Sequence, residues 1–401
     1  MSEDTYLANV YQRFPITLAR GKGAKVWDNN GREYIDCMGG YGVALVGHCN
    51  DKVVKAIKEQ SEKLITCHSS CYNDARLAFL QKLISVAPKG LSKVYLSNSG
   101  AEATEAAIKI ARKYTKKPGI VAMVGSFHGK TMGALSVTYA QKYRESFAPL
   151  LEGVKFVPFG DAAKLREAID EKTGAVIVEP VQGESGIHVA PDGYLQEVRS
   201  VCDSKGMVLI FDEIQSGLGR TGKLWAGEHW NVAPDIMCLA KGIAGGVPMG
   251  ATLARQEVMD SLKLGEHSST FGGNPLACAA GRAALECIVD DGLMDNARSV
   301  GKYFKEGLLA LKDKHKIIRE VRGLGLMLAA ELRFEVKDIL FDGINEGLLM
   351  LYSGKNIIRL LPPLVIDEKM VSSTPSIRLT SSIHLFISVI VGALTTATIS
   401  Y

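Results

Sequence analysis

Between about residue 92 and residue 239 the chain alternates short, continuously apolar runs with stretches of helical spacing, and this alternation limits the fold more than any other feature. The apolar runs fall at residues 94–96, 120–124, 175–178, 207–211 and 236–239. A strand that is apolar at every position is buried on both faces, as in a mostly parallel sheet with helices packed on each side. Helical periodicity fills the windows near 101–114 and 193–204, and upstream near 51–64 and 74–87. Ahead of these, Asp28-Asn29-Asn30-Gly31 separates residues 24–27 from 33–37 and predicts a hairpin. Past residue 275 the texture changes to amphipathic helices at 275–289 and 300–312, then a strand pair at 326–331 and 357–361. The expected organisation is α/β. A large domain at 51–272 is followed by a smaller α+β domain at 273–401, which the N-terminal segment, 1–50, joins.

Bulk properties exclude several function classes. The 401 residues are 47% hydrophobic and 22% charged, enough for two sizeable cores, and the net charge of +4 is spread through the chain. No basic stripe marks a nucleic-acid partner, although a mild basic excess suits an anionic substrate. Met1-Ser2-Glu3-Asp4 is no signal peptide, so a cytoplasmic location is expected. Eight irregularly spaced cysteines read as reduced thiols. Cys67-His68-Ser69-Ser70-Cys71, with His48-Cys49 upstream, contains no Cys-x-x-Cys pair, and no metal is expected.

Chemistry concentrates at the ends of the apolar runs. Lys241 follows one of them and opens the turn Gly242-Ile243-Ala244-Gly245-Gly246. A lone, partly desolvated lysine there suits an imine with an aldehyde cofactor. The run at 207–211 ends in Asp212-Glu213, a carboxylate able to hold a pyridinium nitrogen. Those two groups are what pyridoxal phosphate requires of a protein, although a chance Ala-Lys-Gly turn would look the same in isolation. Ser97-Asn98-Ser99-Gly100-Ala101-Glu102 joins a strand to a helix, with Ser99 and Glu102 spaced as a capping box. Free amides and the helix dipole make such a start an anion site.

Gly217-Leu218-Gly219-Arg220-Thr221-Gly222-Lys223 imitates two nucleotide motifs. Leu224 stands where a Walker loop needs Ser or Thr, and Asp212-Glu213-Ile214-Gln215-Ser216 separates the glycines from their strand. A nucleotide-binding ATPase or dehydrogenase built on this loop is the rival reading from another class.

Six motifs then occur in order: Ser99-Gly100-Ala101-Glu102-Ala103, Ser126-Phe127-His128-Gly129-Lys130-Thr131, Glu179-Pro180-Val181-Gln182-Gly183-Glu184, Asp212-Glu213-Ile214-Gln215-Ser216-Gly217, Ala240-Lys241-Gly242 and Ser269-Thr270-Phe271-Gly272-Gly273-Asn274-Pro275. Together they resemble the class III pyridoxal-phosphate-dependent aminotransferases, from about residue 9 to 367. The run at 133–139, Lys142-Tyr143-Arg144 and Ile358-Arg359-Leu360-Leu361-Pro362-Pro363 are most similar to the acetylornithine and LysW-carrier-linked branch of arginine and lysine biosynthesis.

The resemblance implies a pyridoxal-phosphate transferase of fold type I and a set of roles. Lys241 would hold the cofactor covalently and shuttle the proton, and Asp212 would keep the ring nitrogen protonated. Phe127 would stack on the ring, with His128 and Gln215 also at the cofactor. Ser99, Gly100 and Ala101 would bind the phosphate, joined by Thr270 of a neighbouring subunit, which makes the protein a homodimer with shared sites. Arg359 would clamp the α-carboxylate of glutamate or 2-oxoglutarate. Glu184 would cover that arginine while an ω-amine reacts. Lys130 would bind a substrate carboxylate where the family usually has arginine, keeping the charge and losing the fork.

The implied reaction moves the terminal amine of an N-blocked ornithine or lysine to 2-oxoglutarate. The blocking group is acetyl or the tail of an acidic carrier protein. Ornithine or 4-aminobutyrate transamination is the alternative within the class. The chain leaves the family pattern near residue 370: after Arg378 it has no Lys, Arg, Asp or Glu. The apolar stretch at 383–401 could barely span a bilayer, and its Ser and Thr content and missing basic flank favour a divergent or frame-altered tail over an anchor.

Overall fold

The computed structural model describes residues 3–372, so the expectations about the tail from residue 373 onward lie outside the described residues. Its centre is a seven-stranded sheet in the order Leu91–Ser97, Gly250–Arg255, Ile236–Leu239, Val208–Asp212, Thr173–Val178, Gly119–Met123, Val154–Val157. Gly250–Arg255 runs antiparallel to both neighbours, and the other strands share one direction. The sheet is therefore mostly parallel, as expected.

Two of its strands were not legible in the sequence. Val154–Val157 is an edge strand that exposes Lys155, so its apolar run is interrupted. Gly250-Ala251-Thr252-Leu253-Ala254-Arg255 is buried through Ala254, yet its small residues and flanking glycines resemble loop chemistry.

The continuous apolar character of the strands follows from two-sided burial. Ile210 packs into the cluster around Ala103, Ala107 and Ile110 of the helix Gly100–Thr115. Its neighbours Leu209 and Phe211 point the other way, onto Leu195, Val198 and Cys202 of the helix Tyr194–Lys205. Each such Leu, Ile or Phe contributes roughly 1.5–3 kcal/mol of burial. Alanines on the first helix let it lie close against the sheet, which sets the height of its N-terminus above the strand ends.

A second, antiparallel sheet is built from Ile318–Leu324, Met327–Leu332, Ile357–Leu360 and Leu351–Ser353, with Ala329 opposite Arg359. The expected strand pair is thus antiparallel. The predicted hairpin forms from Lys25–Asp28 and Glu33–Asp36, with Asp28 Oδ1 accepting the amides of Asn30 and Arg32 across the turn. Leu348–Leu349 pairs in parallel with Ile35 and Asp36, so one sheet contains both N-terminal and late residues. The late helix spans Leu293–Lys314 and starts well before residue 300, because Gly292, at φ 72°, breaks the chain just ahead of Leu293. Among the described residues no helix is long and apolar enough to cross a membrane.

Candidate active site

Parallel strands deliver their C-terminal ends to one edge, where ligands of open α/β sheets collect. A cavity of about 390 Å³ opens there, lined by Ser99, Phe127, His128, Asp212, Gln215 and Lys241, with Gly100, Ala101 and Glu184 also on its wall. Eight of the twelve expected site residues thus share one cavity with Glu184, and Lys130, Thr270 and Arg359 do not line it.

Lys241 sits one residue past the Ile236–Leu239 strand and its connecting Ala240, with φ +47°. A left-handed lysine is strained by about 1–2 kcal/mol, and the next residue, Gly242, packs so closely that an added Cβ would approach Leu45 Cβ at 2.7 Å. Burial pulls its ammonium below lysine's ordinary value, with the Glu184 and Asp212 carboxylates opposing. The result is an amine closer to its neutral, nucleophilic form.

Asp212 ends its strand nearly fully buried. One carboxylate oxygen, Oδ1, accepts the Ile214 amide at 3.0 Å, and Oδ2 is 2.6 Å from His128 Nδ1. Burial disfavours the charged imidazole, yet the hydrogen bond and charge of Asp212 outweigh it, so the His128 pKa is raised. His128 is held in turn by its own amide, which donates to Thr138 Oγ1 at 2.9 Å. Among the described residues, His128 Nε2 and Gln215 Oε1 are buried without a hydrogen-bond partner.

Ser99 caps the helix Gly100–Thr115, its Oγ accepting the Glu102 amide at 3.2 Å. The capping box closes one residue early: Glu102 Oε2 takes the Asn98 amide at 2.7 Å instead of that of Ser99. The first-turn amides of Gly100 and Ala101 have no carbonyl one turn back, and both residues face the cavity. Gly100 itself lies close against Ile214, whose Cδ1 would be 2.9 Å from an added Cβ.

Arg359 is buried on the Ile357–Leu360 strand, and its guanidinium forks onto Glu184 at 2.9 and 3.1 Å. It also donates to the carbonyls of Gly183 and Tyr352. Burial raises the Glu184 carboxyl, and Arg359 and Lys241 overcome this, leaving its pKa lowered. Lys130 is exposed, its Nζ 4.7 Å from the centroid of the Tyr143 ring. Phe127 meets that ring edge-on at 5.9 Å. Thr270 is exposed on a turn outside this chain's own cavity.

Glu179 is a site residue that sequence reasoning quoted without a role. It is buried on the cavity wall and accepts the amides of Phe127 and Gly183 at 3.1 Å each, tying the Phe127-His128 turn to the Glu184 loop. Its place at the end of a buried apolar strand was the available signal. The glycine loop at 217–223 has a different use. Arg220, fully buried, donates to the carbonyls of Leu326 and Pro362, and an added Cβ on Gly219 would lie 3.2 Å from Ile288, Met294 and Leu364 side-chain atoms. Its glycines serve packing against late elements, which removes the basis for the nucleotide reading.

Glu213, next to Asp212, is buried, and burial pushes its carboxyl up to about 7 against three donors, Ala226 N, Gly227 N and Ser216 Oγ. Between the ordinary carboxylate range and about 7 the folded chain holds a proton that the unfolded chain releases. Stability therefore falls as pH rises through that window, by on the order of 3 kcal/mol for this group. Thermal melts from pH 4.5 to 8 are expected to show the decline, and Glu213→Gln should flatten it; an unchanged slope in the variant would assign the decline to other groups.

A mostly parallel sheet presenting a strained lysine, a buried aspartate and the free first-turn amides of a helix to one cavity defines the fold-type-I pyridoxal-phosphate enzymes. Within that class the chain belongs to the class-III aminotransferases, whose family model matches residues 6–377. It is 48% identical over 367 residues to the acetylornithine aminotransferase of Methanopyrus kandleri, covering 91% of this chain and 94% of that one. It is 46% identical to the [LysW]-aminoadipate semialdehyde transaminase of Deinococcus radiodurans, covering 92% and 86%. Among solved structures, an ornithine aminotransferase from Toxoplasma gondii, described with partial occupancy of pyridoxal phosphate at its active site, superposes with a TM-score of 0.90. Its identity is 34%, over 98% of this chain and 92% of that one.

Proposed function

We propose that this aminotransferase moves the terminal amino group of an N-blocked ornithine or lysine to 2-oxoglutarate, as a cytoplasmic homodimer in arginine or lysine biosynthesis. The observation that carries the reading is the buried Arg359–Glu184 fork beside a cavity that also holds Lys241. An enzyme that takes a terminal amine and then an α-amino dicarboxylate must bind the second substrate's extra carboxylate without leaving a bare charge for the first. A guanidinium covered by a movable glutamate answers both needs.

The residues present fit the cofactor. Gly100 and Ala101 supply amides for a phosphate, and Gln215 lines the same cavity. Pyridoxal phosphate supplies an aldehyde and an electron-withdrawing ring when bound. Lys241 would bind it covalently and then carry a proton on Nζ between substrate carbon and cofactor. Asp212, with His128 behind it, would hold a proton on the ring nitrogen. Phe127 would cover a ring face and exclude water. Arg359 would orient glutamate by its α-carboxylate, and Lys130 would contribute a charge at the substrate's distal end. Thr270, exposed on its own chain, would reach the phosphate of a second copy.

Single-turnover spectra with acetylornithine, acetyllysine, carrier-linked amines, free ornithine and glutamate test this reading. An N-blocked amine is expected to react fastest after glutamate; faster reaction of free ornithine would transfer the assignment to the ornithine branch. In Arg359→Ala the glutamate half-reaction should lose roughly 2–5 kcal/mol, about thirty-fold to several thousand-fold. Glu184→Ala should spare glutamate and slow the ω-amine. Equal losses with both donors in both variants would refute the switch.

A further inference from the structure

Arg76 lies in the first turn of the helix Asp74–Ser85 and is buried at 8% exposure, yet among the described residues no carboxylate pairs with it. Its guanidinium is spent on backbone. Nε donates to the Gly273 carbonyl at 2.7 Å, Nη1 to the Cys71 carbonyl at 2.9 Å and Nη2 to the Cys67 carbonyl. Charge-assisted bonds of this kind are strong, and only a planar fork can meet three carbonyls set around one point. The helix start that carries it is fixed too, because the Arg76 amide donates to Asn73 Oδ1 at 2.9 Å.

The two segments so joined share a character. Gly273 sits at φ +75° directly against the arginine, where an added Cβ would lie 3.2 Å from Nε. Three residues before it is Thr270, and Phe271 beside that is 64% exposed. In the other segment Tyr72 is fully exposed, and Leu64 and Ile65 are each about half exposed. A cluster of exposed apolar side chains marks an interaction surface. At its other end the 269–274 turn is pinned through Ser269 Oγ, which accepts the Gly272 amide at 3.0 Å and the Asn98 side chain at 3.1 Å. The turn is thus held at both roots, and none of its residues lines its own chain's cavity.

We infer that Arg76 is a positioning residue that works in trans: it fixes the two segments of this face so that Thr270 meets the phosphate site of a second copy of the chain. The inference rests on the proposed shared-site dimer and adds to it the element that sets the donated turn in place. Arg76 does not line its own chain's cavity, so its loss should be felt in the neighbour.

Hybrid dimers separate the two arrangements. Full-length chains carrying different tags are co-expressed, and the mixed dimer is purified on both tags. In the Arg76→Met homodimer the dissociation constant for pyridoxal phosphate, read by absorbance titration, is expected to rise at least about tenfold. In the hybrid of Arg76→Met with Lys241→Ala, the intact lysine belongs to the Arg76→Met chain and receives its turn from a chain with Arg76. That site should bind with parental affinity and yield one borohydride-fixed cofactor per dimer.

Parental affinity in the Arg76→Met homodimer, or a hybrid as weak as that homodimer, overturns the proposal. A Thr270→Val and Lys241→Ala hybrid is the control for the underlying reading. If it fails to recover, the shared site itself is wrong; if it recovers while the Arg76 hybrid does not, only the role of Arg76 falls. Should Arg76→Met not fold by circular dichroism, Arg76→Lys, which keeps the charge and loses the fork, carries the same comparison.

Discussion

Lys241→Ala is expected to abolish turnover, by at least about 10⁴-fold, while leaving the fold intact. The amine is the group able both to bind an aldehyde and to carry a proton between neighbouring atoms of the bound pair, so one substitution removes two functions. Its geometry also predicts what should not happen. Lys241 occupies a left-handed backbone position at φ +47°, and burial pulls down its ammonium against the pull of Glu184 and Asp212. Removing a strained, partly desolvated cation need not destabilise the chain. Replacement by glycine, which accepts positive φ without penalty, should raise stability by about 1 kcal/mol. The melting temperature of Lys241→Gly is thus expected to equal or exceed that of the parent, with activity gone from both variants. Mass spectrometry after borohydride reduction checks the chemistry: retention of a covalent cofactor in Lys241→Ala would sink the assignment.

The sequence showed the strand ends well because burial on both faces leaves a continuous apolar run, and five strands of the central sheet carry one. It hid Val154–Val157, where an edge position admits Lys155, and Gly250–Arg255, where glycine and alanine carry the packing. Residues adjacent to those runs, such as Asp212 and Lys241, could therefore be placed at a common edge before any coordinates. The Arg359–Glu184 fork is another matter. Arg359 lies on a strand and Glu184 on a turn 175 residues earlier, and no local period links them, so only the motif resemblance suggested the pair. Arg76 was missed for the same reason, and Glu179, although its place at the end of a buried apolar run was a signal for the site, gave no hint of its partners. Their roles lie in accepting or donating to backbone groups of remote loops, and side-chain spacing along the chain contains no record of that.

Asp212→Asn should lower turnover by roughly 10²–10⁴-fold, the range associated with a positioned proton-transfer group. Asparagine can still accept the Ile214 amide through its carbonyl, so the strand end should keep its shape. What changes is the face toward His128. Where a carboxylate oxygen now lies 2.6 Å from Nδ1, the variant offers either a neutral amide oxygen or an N–H donor. In the parent, burial lowers the His128 pKa and Asp212 more than restores it, so the net shift is upward. A raised histidine contributes stability that is complete below its unfolded value and is lost as pH rises through the folded one. Without the carboxylate, burial is opposed only by the weaker pull of Glu179, and the sign reverses: the His128 pKa should fall below its ordinary value, with stability lost on acidification. Nitrogen NMR of His128 tracks that change independently of catalysis. Loss of the imidazolium together with loss of rate would tie the cofactor-facing proton to the Asp212–His128 pair. A variant with a near-parental rate would show that another group holds the ring nitrogen, whatever the state of the histidine.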